Sequence, residues 1–197
     1  MPKGFSDAEK EHIRAKLLEV GEKCLVTTGV RRTTVEDLAK AAYISKGAFY
    51  LFFDSKEALF YASLGQFEQA YRRQLLALIE RPGRTPRARF IAFLRDAMTL
   101  WQSSPLFTHF NGEEYQYLAR KLPGQVIANR RDDQVFFADL MKRWKVLGVQ
   151  ITCTPAEFVG LANVLFFITL HADDIGEVFP KTCETLIQLI AQQIVRS

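Results

Sequence analysis

The stretch TTVEDLAKAAYISKGAFYLFFDSK, which runs from Thr33 to Lys56, decides how this chain is organised. It contains two short amphipathic segments separated by a tight turn at 42–44, and its apolar residues fall where two crossing helices would bury them. Ala39 is small at the position where such helices would cross, so their backbones can approach closely. This pattern predicts a helix-turn-helix, whose second helix enters the major groove of DNA.

The second helix of this motif has an exposed side suited to DNA. Lys46, Gly47, Ala48 and Tyr50 fall opposite the residues predicted to be buried. Gly47 and Ala48 are small enough for the backbone to come close to the groove, and Lys46 and Tyr50 can hydrogen-bond to phosphates or bases. The spacing therefore predicts a surface that reads DNA.

Helical patterns continue through almost the whole chain. Capping residues predict where the N-terminal helices begin: Ser6 with Glu9, Thr33 with Glu36, Ser45, and Asp54 with Glu57. Proline-containing breaks at 81–86, 104–105 and 123–124 divide the remainder, and the sequence TPAE at 154–157 opens a very apolar helix. We therefore predict an all-α chain of about nine helices, with a three-helix DNA-binding domain over 1–53 and a ligand-binding and dimerisation domain over 54–197.

Bulk charge does not locate a nucleic-acid surface. The formal net charge is +4, but the first 60 residues hold ten Lys and Arg against nine Asp and Glu. The prediction of DNA binding therefore rests on the motif.

Composition also indicates the cellular compartment. The sequence contains no run of about 18 apolar residues, so it predicts no membrane span. The charged N-terminus is unlike a signal peptide. The three cysteines, Cys24, Cys153 and Cys183, are too far apart to suggest a disulfide framework or a zinc site. These features favour a cytoplasmic protein.

The stretch SKGAFYLFFDSKEALF, preceded by TTVEDLAKAA, resembles the DNA-binding domain of the tetracycline-repressor (TetR) family. The similarity covers about residues 10–65, and the rest of the chain agrees with the family only in length and helix order. The resemblance implies a homodimeric transcription regulator, by family default a repressor that a small molecule releases from a palindromic operator.

The resemblance also implies a set of DNA contacts: Thr34, Lys46, Gly47, Ala48, Tyr50 and Lys56. In the family, the residues that match Thr34, Tyr50 and Lys56 contact the DNA backbone. The positive end of the fourth helix assists the contact that matches Lys56. The other three match residues that face the bases.

The chain departs from the family pattern at two places. Tyr43 stands where the family usually has glycine in the turn. If the backbone there requires positive φ, tyrosine costs on the order of 1 kcal/mol. Leu51 and Phe52 are apolar where polar residues are common, and they suit a thymine methyl or the sugar-phosphate wall.

Large aromatic residues crowd the middle of the chain, and they suggest a cavity for a small apolar or aromatic ligand. The residues that we predict to line it are Trp101, Phe107, Phe110, Tyr115, Phe137, Phe167 and His171. Any one of these rings also fits an ordinary helical core.

Enzymatic activity is not expected. His12, His109 and His171 are isolated, and the sequence contains no nucleophile elbow or phosphate-binding loop. We accordingly expect no catalytic residues, cofactor or metal. One alternative stays open, namely a helical ligand-binding protein of the same fold that does not bind DNA.

The last two long helices, near 157–172 and 177–195, are apolar on more than one face. A chain of this size is not expected to expose so much apolar surface. We predict that the two helices form a four-helix bundle with a second copy, with Ile190 in the interface.

Overall fold

The computed structural model describes residues 5–81, 85–104, 106 and 112–196, apart from the side chains of 126–130. Those residues form ten α-helices and no strand. The helices are α1 (Asp7–Leu25), α2 (Val35–Ala41), α3 (Lys46–Phe49), α4 (Lys56–Leu78), α5 (Pro86–Gln102), α6 (Gly112–Lys121), α7 (Pro123–Val146), α8 (Pro155–Thr169), α9 (Ala172–Ile175) and α10 (Phe179–Ile194). The all-α prediction is confirmed, and the additional helix is the single turn α9.

Two of the predicted capping boxes are present as expected. The Ser6 hydroxyl accepts a hydrogen bond from the Glu9 N–H, and the Glu9 carboxylate accepts one from the Ser6 N–H. Thr154 and Glu157 form the same reciprocal pair at the start of α8. Both satisfy backbone N–H groups that the first turn of a helix leaves without partners.

Two predicted caps were wrong by one residue. Thr34 caps α2 and pairs with Asp37, because the Thr33 hydroxyl is buried and donates instead to the Gly29 carbonyl at 2.7 Å. At the start of α4, the Ser55 hydroxyl, in place of Asp54, accepts a hydrogen bond from the Ala58 N–H.

The chain divides into two compact units, and the division differs from the predicted boundary between residues 53 and 54. The first unit takes 1–69 together with 105–122, and the second takes 70–104 and 123–197. Helix α4 therefore contributes to both units, and α6 belongs with the helix-turn-helix. Sequence patterns alone do not reveal this grouping, because it depends on contacts between distant segments.

Helices α1 and α4 meet at a close crossing inside the first unit. A Cβ atom added to Gly21 would overlap the Ser63 Oγ, well inside van der Waals contact. Ser63 is fully buried, and its hydroxyl donates to the Leu18 carbonyl at 3.3 Å. A side chain at position 21 would therefore require the Ser63 hydroxyl to leave its bond with the Leu18 carbonyl.

Gly21→Ala is expected to lower the free energy of unfolding by about 1–3 kcal/mol, the usual cost of overpacking a core. Urea denaturation followed by circular dichroism measures it. The same change in a Ser63→Ala background removes the clashing oxygen and should recover most of the loss. An unchanged urea midpoint in the single variant would show that the two helices separate at no cost.

The core of the second unit is built around Trp144, which is fully buried. Its ring meets Phe93 edge-on with centroids 5.1 Å apart and Phe90 at 5.6 Å. Such edge-to-face pairs contribute beyond the burial of their area. Helices α5 and α7 are thereby joined through their aromatic faces.

No single helix among the described residues is long and apolar enough to cross a membrane. Only a pair bent by 70°, Pro155–Thr169 with Ala172–Ile194, passes that test by length and composition.

Candidate nucleic-acid interface

Helices α2 and α3 are joined by a turn with a left-handed residue. The Tyr43 N–H donates to the Lys40 carbonyl at 3.1 Å, and the Ile44 N–H donates to the Ala39 carbonyl at 3.0 Å. This pair of bonds is a Schellman motif, which ends a helix and normally places glycine at the position of Tyr43. Tyr43 has φ of 58°, so the backbone does require a positive φ there.

The recognition helix α3 is short and ends at Phe49. The Ser45 side chain caps it by accepting a hydrogen bond from the Ala48 N–H at 3.1 Å. Phe49 is fully buried and Phe53 nearly so, and their rings lie 6.2 Å apart. These two rings anchor α3 and leave its other side open.

The open side of α3 carries the residues predicted to face DNA. Gly47 is exposed, and a Cβ atom there would meet only the Ser45 Oγ at 3.9 Å. Tyr50 is half exposed, and Ala48 is partly covered. The structure thus brings Lys46, Gly47, Ala48 and Tyr50 onto one short segment with free space in front of its glycine.

Lys46 is held by an acidic neighbour. Its Nζ lies 2.7 Å from the Glu36 Oε1 of α2, and this hydrogen bond and charge raise the pKa of the lysine. Both side chains are more than half exposed. Because exposed ion pairs contribute at most about 1 kcal/mol, a DNA phosphate can replace Glu36 as the partner of Lys46.

Thr34 lies at the N-terminus of α2 and is part of the cap. Its hydroxyl donates to the Asp37 Oδ2 at 2.6 Å, and its backbone N–H donates to the same atom at 3.0 Å. These bonds lower the pKa of Asp37. The side chain of Thr34 is exposed at the start of α2, so a phosphate contact stays a prediction for it.

Lys56 has internal partners that the sequence did not suggest. Its Nζ donates to three backbone carbonyls of the segment between α1 and α2: Val30 at 2.9 Å, Arg31 at 3.3 Å and Thr33 at 2.8 Å. An ammonium group has three protons, and each has an acceptor here. Lys56 therefore ties the start of α4 to the residues that precede α2, and its phosphate contact stays a prediction.

Lys56→Ala is expected to lower the free energy of unfolding by about 1.5–3 kcal/mol, because hydrogen bonds from a charged donor to carbonyls are lost. Urea denaturation against Lys40→Ala, an exposed lysine of α2, isolates this effect. If stability were unchanged and the salt dependence of DNA binding lost about one phosphate contact, Lys56 would act on DNA as the resemblance implies.

Three side chains of α6 bond it to the rest of the first unit. The Glu114 carboxylate accepts a hydrogen bond from the Val30 N–H at 3.0 Å, and Glu113 pairs with Arg31 at 3.3 Å. The Tyr117 hydroxyl donates to the Glu57 carboxylate of α4 at 2.5 Å. Sequence reasoning missed all three, because each joins residues at least 60 positions apart.

The bond between Tyr117 and Glu57 shifts both groups. It raises the pKa of Tyr117 to about 12, since a carboxylate acceptor favours the protonated phenol. Burial opposes ionisation of Glu57, but the hydrogen bonds that it accepts outweigh burial and lower its pKa. At neutral pH the pair is a neutral phenol donating to a carboxylate.

Arg14 of α1 supports the segment that follows α3. Its guanidinium donates to the Phe52 carbonyl at 3.2 Å and lies 4.6 Å from the centroid of the Phe53 ring. No local pattern signals this cation–π contact, because the two residues are far apart in the chain. Arg14 thus helps to hold the C-terminal side of the recognition segment.

A comparison with protein families matches residues 17–62 to the bacterial regulatory proteins of the tetR family. This range covers about the last half of α1, both helices of the helix-turn-helix and the start of α4. Residues 17–62 of the chain are therefore similar to the DNA-binding part of that family. The curated relatives that it matches include the uncharacterised HTH-type regulator YuxN of Bacillus subtilis, at 35% identity over 36% of this chain and 30% of that protein. The HTH-type repressor NemR of Escherichia coli is 32% identical over 43% of each chain.

The chain thus spans less than half the length of these curated relatives. Solved structures extend the likeness in fold to the whole chain. A TetR-family regulator from Pectobacterium atrosepticum has a TM-score of 0.75 and 20% identity, with 98% of this chain and 99% of that one covered. The reduced form of E. coli NemR has a TM-score of 0.63 and 20% identity, with coverage of 92% and 97%.

Two of the residues predicted to bind a ligand, Trp101 and Phe167, contact a common ring in the second unit. The Trp101 ring is 4.5 Å from that of Phe166, which in turn is 5.3 Å from Phe167. Phe137 packs instead against Phe158 of the core, with centroids 5.1 Å apart. Trp101 and Phe167 therefore flank a common ring, while Phe137 is partly buried against the core.

The other predicted ligand residues are placed differently. His171 is about half exposed and pairs with Asp174 at 2.9 Å, on the surface of the second unit. Tyr115 is half buried on α6, in the first unit. Phe107 and Phe110 lie outside the described residues. Within the part of the chain that is described, no group of three His, Cys, Asp or Glu side chains is arranged to hold a metal.

Proposed function

We propose that this chain is a TetR-family transcription regulator that binds double-stranded DNA through α3. The observation that carries the proposal is the exposed segment from Lys46 to Tyr50, anchored from behind by Phe49 and open in front of Gly47. A backbone without side-chain bulk can approach base edges, and the flanking lysine and tyrosine suit the phosphates on either side.

The regulator is proposed to act as a homodimer. Large apolar side chains on α8, on α10 and just before α10 are 40% or more exposed, namely Val164, Phe167, Val178 and Leu189. These are the helices that the sequence assigned to a twofold interface. Burying the four side chains against the same helices of a second copy would cover this apolar surface.

A twofold dimer implies a palindromic operator. The two copies of α3 would read half-sites about one helical turn apart, roughly 34–36 Å, on one face of the duplex. We propose repression as the outcome of binding, in keeping with the default of the family.

A small apolar or aromatic ligand is proposed as the signal that releases the repressor. Trp101, one of the predicted ligand residues, supports this choice, since its ring lies against that of Phe166 in the second unit. By linkage, such a ligand releases DNA only to the extent that it prefers the form that does not bind DNA.

Two helices are proposed to relay ligand binding to the DNA-binding helices. Helix α4 runs unbroken from Lys56 into the second unit, as the sequence suggested. Helix α6 begins directly after the predicted ligand residues and bonds to Val30 and Arg31, whose carbonyls also hold Lys56. Displacement of α6 would therefore disturb the segment that precedes α2.

The experiment that tests the proposal is a titration of fluorescent DNA from the region upstream of the chain's own gene. Random duplex of equal length serves as the control, and several salt concentrations separate specific from electrostatic binding. Tight binding to the upstream DNA alone supports the regulator. Binding to neither duplex would favour the alternative, a ligand-binding protein of the same fold that acts without DNA.

A further inference from the structure

The turn between α2 and α3 has a tyrosine at a backbone conformation that favours glycine. Among the described residues, Tyr43 is the only one other than glycine with a positive φ. The glycines with a positive φ there are Gly29, Gly148 and Gly176. Gly148 ends α7 with the same two bonds, from its N–H to the Lys145 carbonyl and from the Val149 N–H to the Trp144 carbonyl. The chain thus uses glycine for this motif at one place and tyrosine at the other.

The Tyr43 side chain is exposed to solvent. It is 90% exposed, the highest value among the large hydrophobic side chains described. Within the described part of the chain, its ring and hydroxyl take part in no hydrogen bond, ion pair or ring contact. A strained backbone with an unsupported aromatic ring indicates that the side chain serves something outside the chain.

The position of Tyr43 points to the DNA backbone. It lies directly between the two helices of the helix-turn-helix, two residues before the Ser45 cap of α3. Exposed lysines flank it on both sides, Lys40 at the end of α2 and Lys46 at the start of α3. A phenol combines a flat apolar face with a hydroxyl donor, which suits a sugar and its neighbouring phosphate.

We propose that Tyr43 is a DNA contact: its hydroxyl donates to a phosphate oxygen beside the recognition helix, and its ring lies against the adjoining sugar. This inference rests on the proposed DNA-binding function. It adds to the family's contacts a residue at a position where the family usually has glycine.

Two substitutions separate the DNA contact from the backbone strain. Tyr43→Gly relieves the strain, so the Tm should rise by about 2–4 °C, while affinity for upstream DNA falls about tenfold or more. Tyr43→Phe keeps the ring and the strain, so the Tm should be unchanged and affinity should fall about fivefold, the loss of one hydrogen bond. Neither change should alter the slope of affinity against salt, because a neutral hydroxyl releases no counterion.

Gly148→Tyr is the matched control, since it places tyrosine in the same motif with nothing within 4 Å of its Cβ. It should lower the Tm by a similar amount and leave DNA affinity unchanged. Equal affinity of Tyr43→Gly and the unaltered chain would overturn the Tyr43 contact while leaving the proposed function intact. Failure of the unaltered chain to bind upstream or random DNA at low salt would overturn both.

Discussion

Gly47→Leu is expected to reduce affinity for the operator by about 100-fold or more, while the chain stays folded. A leucine at this position would project from the open side of α3 and hold the helix away from the floor of the groove. Binding would then fall toward the non-specific level, which is typically about 10³–10⁷ times weaker. Fluorescence titration of upstream and random duplexes measures the effect, and binding to random DNA should change little.

Folding should tolerate this change. A Cβ atom at Gly47 meets nothing closer than 3.9 Å, and leucine favours a helix more than glycine does. Gly124→Leu is the matched control, because Gly124 is also the second residue of a helix, exposed, and free of neighbours within 4 Å. If Gly47→Leu bound the operator as tightly as Gly124→Leu, α3 would not be the element that reads DNA.

Leu189→Glu is expected to convert the proposed dimer to monomers at micromolar concentration without unfolding the chain. Leu189 is 56% exposed on α10, so a carboxylate there is solvated in one copy alone and is desolvated only in the proposed interface. Light scattering after size exclusion measures the mass. DNA affinity should fall with it, because a monomer presents one recognition helix instead of two.

The neighbouring change Ile190→Glu should behave in the opposite way. The sequence placed Ile190 in the dimer interface, but it is only 9% exposed within a single chain and belongs to the core around Trp144. A buried carboxylate without a partner costs several kcal/mol, so this variant should lose its helical circular dichroism. A folded monomeric Ile190→Glu, or a dimeric Leu189→Glu, would contradict this assignment of the two faces of α10.

The orientation of α10 illustrates the limit of pattern reading. Both α8 and α10 carry apolar residues on more than one face, and composition alone cannot say which face meets the chain's own core. The structure turns Ile187, Ile190 and Ile194 inward and leaves Leu189 outward. That choice depends on where α5, α7 and α8 lie, and it is therefore a property of the tertiary structure.

The sequence alone was sufficient to predict local features such as helix caps and turns. The caps formed by Ser6, Ser45 and Thr154 bond to residues three positions away, so their chemistry is contained in a few neighbouring letters. The turn at Tyr43 was also foreseen as a place where positive φ would be costly. The predicted cap at Thr33 was wrong because the Thr33 hydroxyl donates to the Gly29 carbonyl, which precedes it in the chain.

By itself, the sequence determined an all-helical chain, the order of its helices, the helix-turn-helix between Thr34 and Phe53 and the residues on the open side of α3. These follow from periodicity, capping and turn chemistry, which act over a few residues. Only the tertiary structure decided that α6 belongs with the DNA-binding helices and that Lys56 bonds to three carbonyls. Such contacts join residues 23 to 84 positions apart, and no local preference encodes which distant donor meets which acceptor.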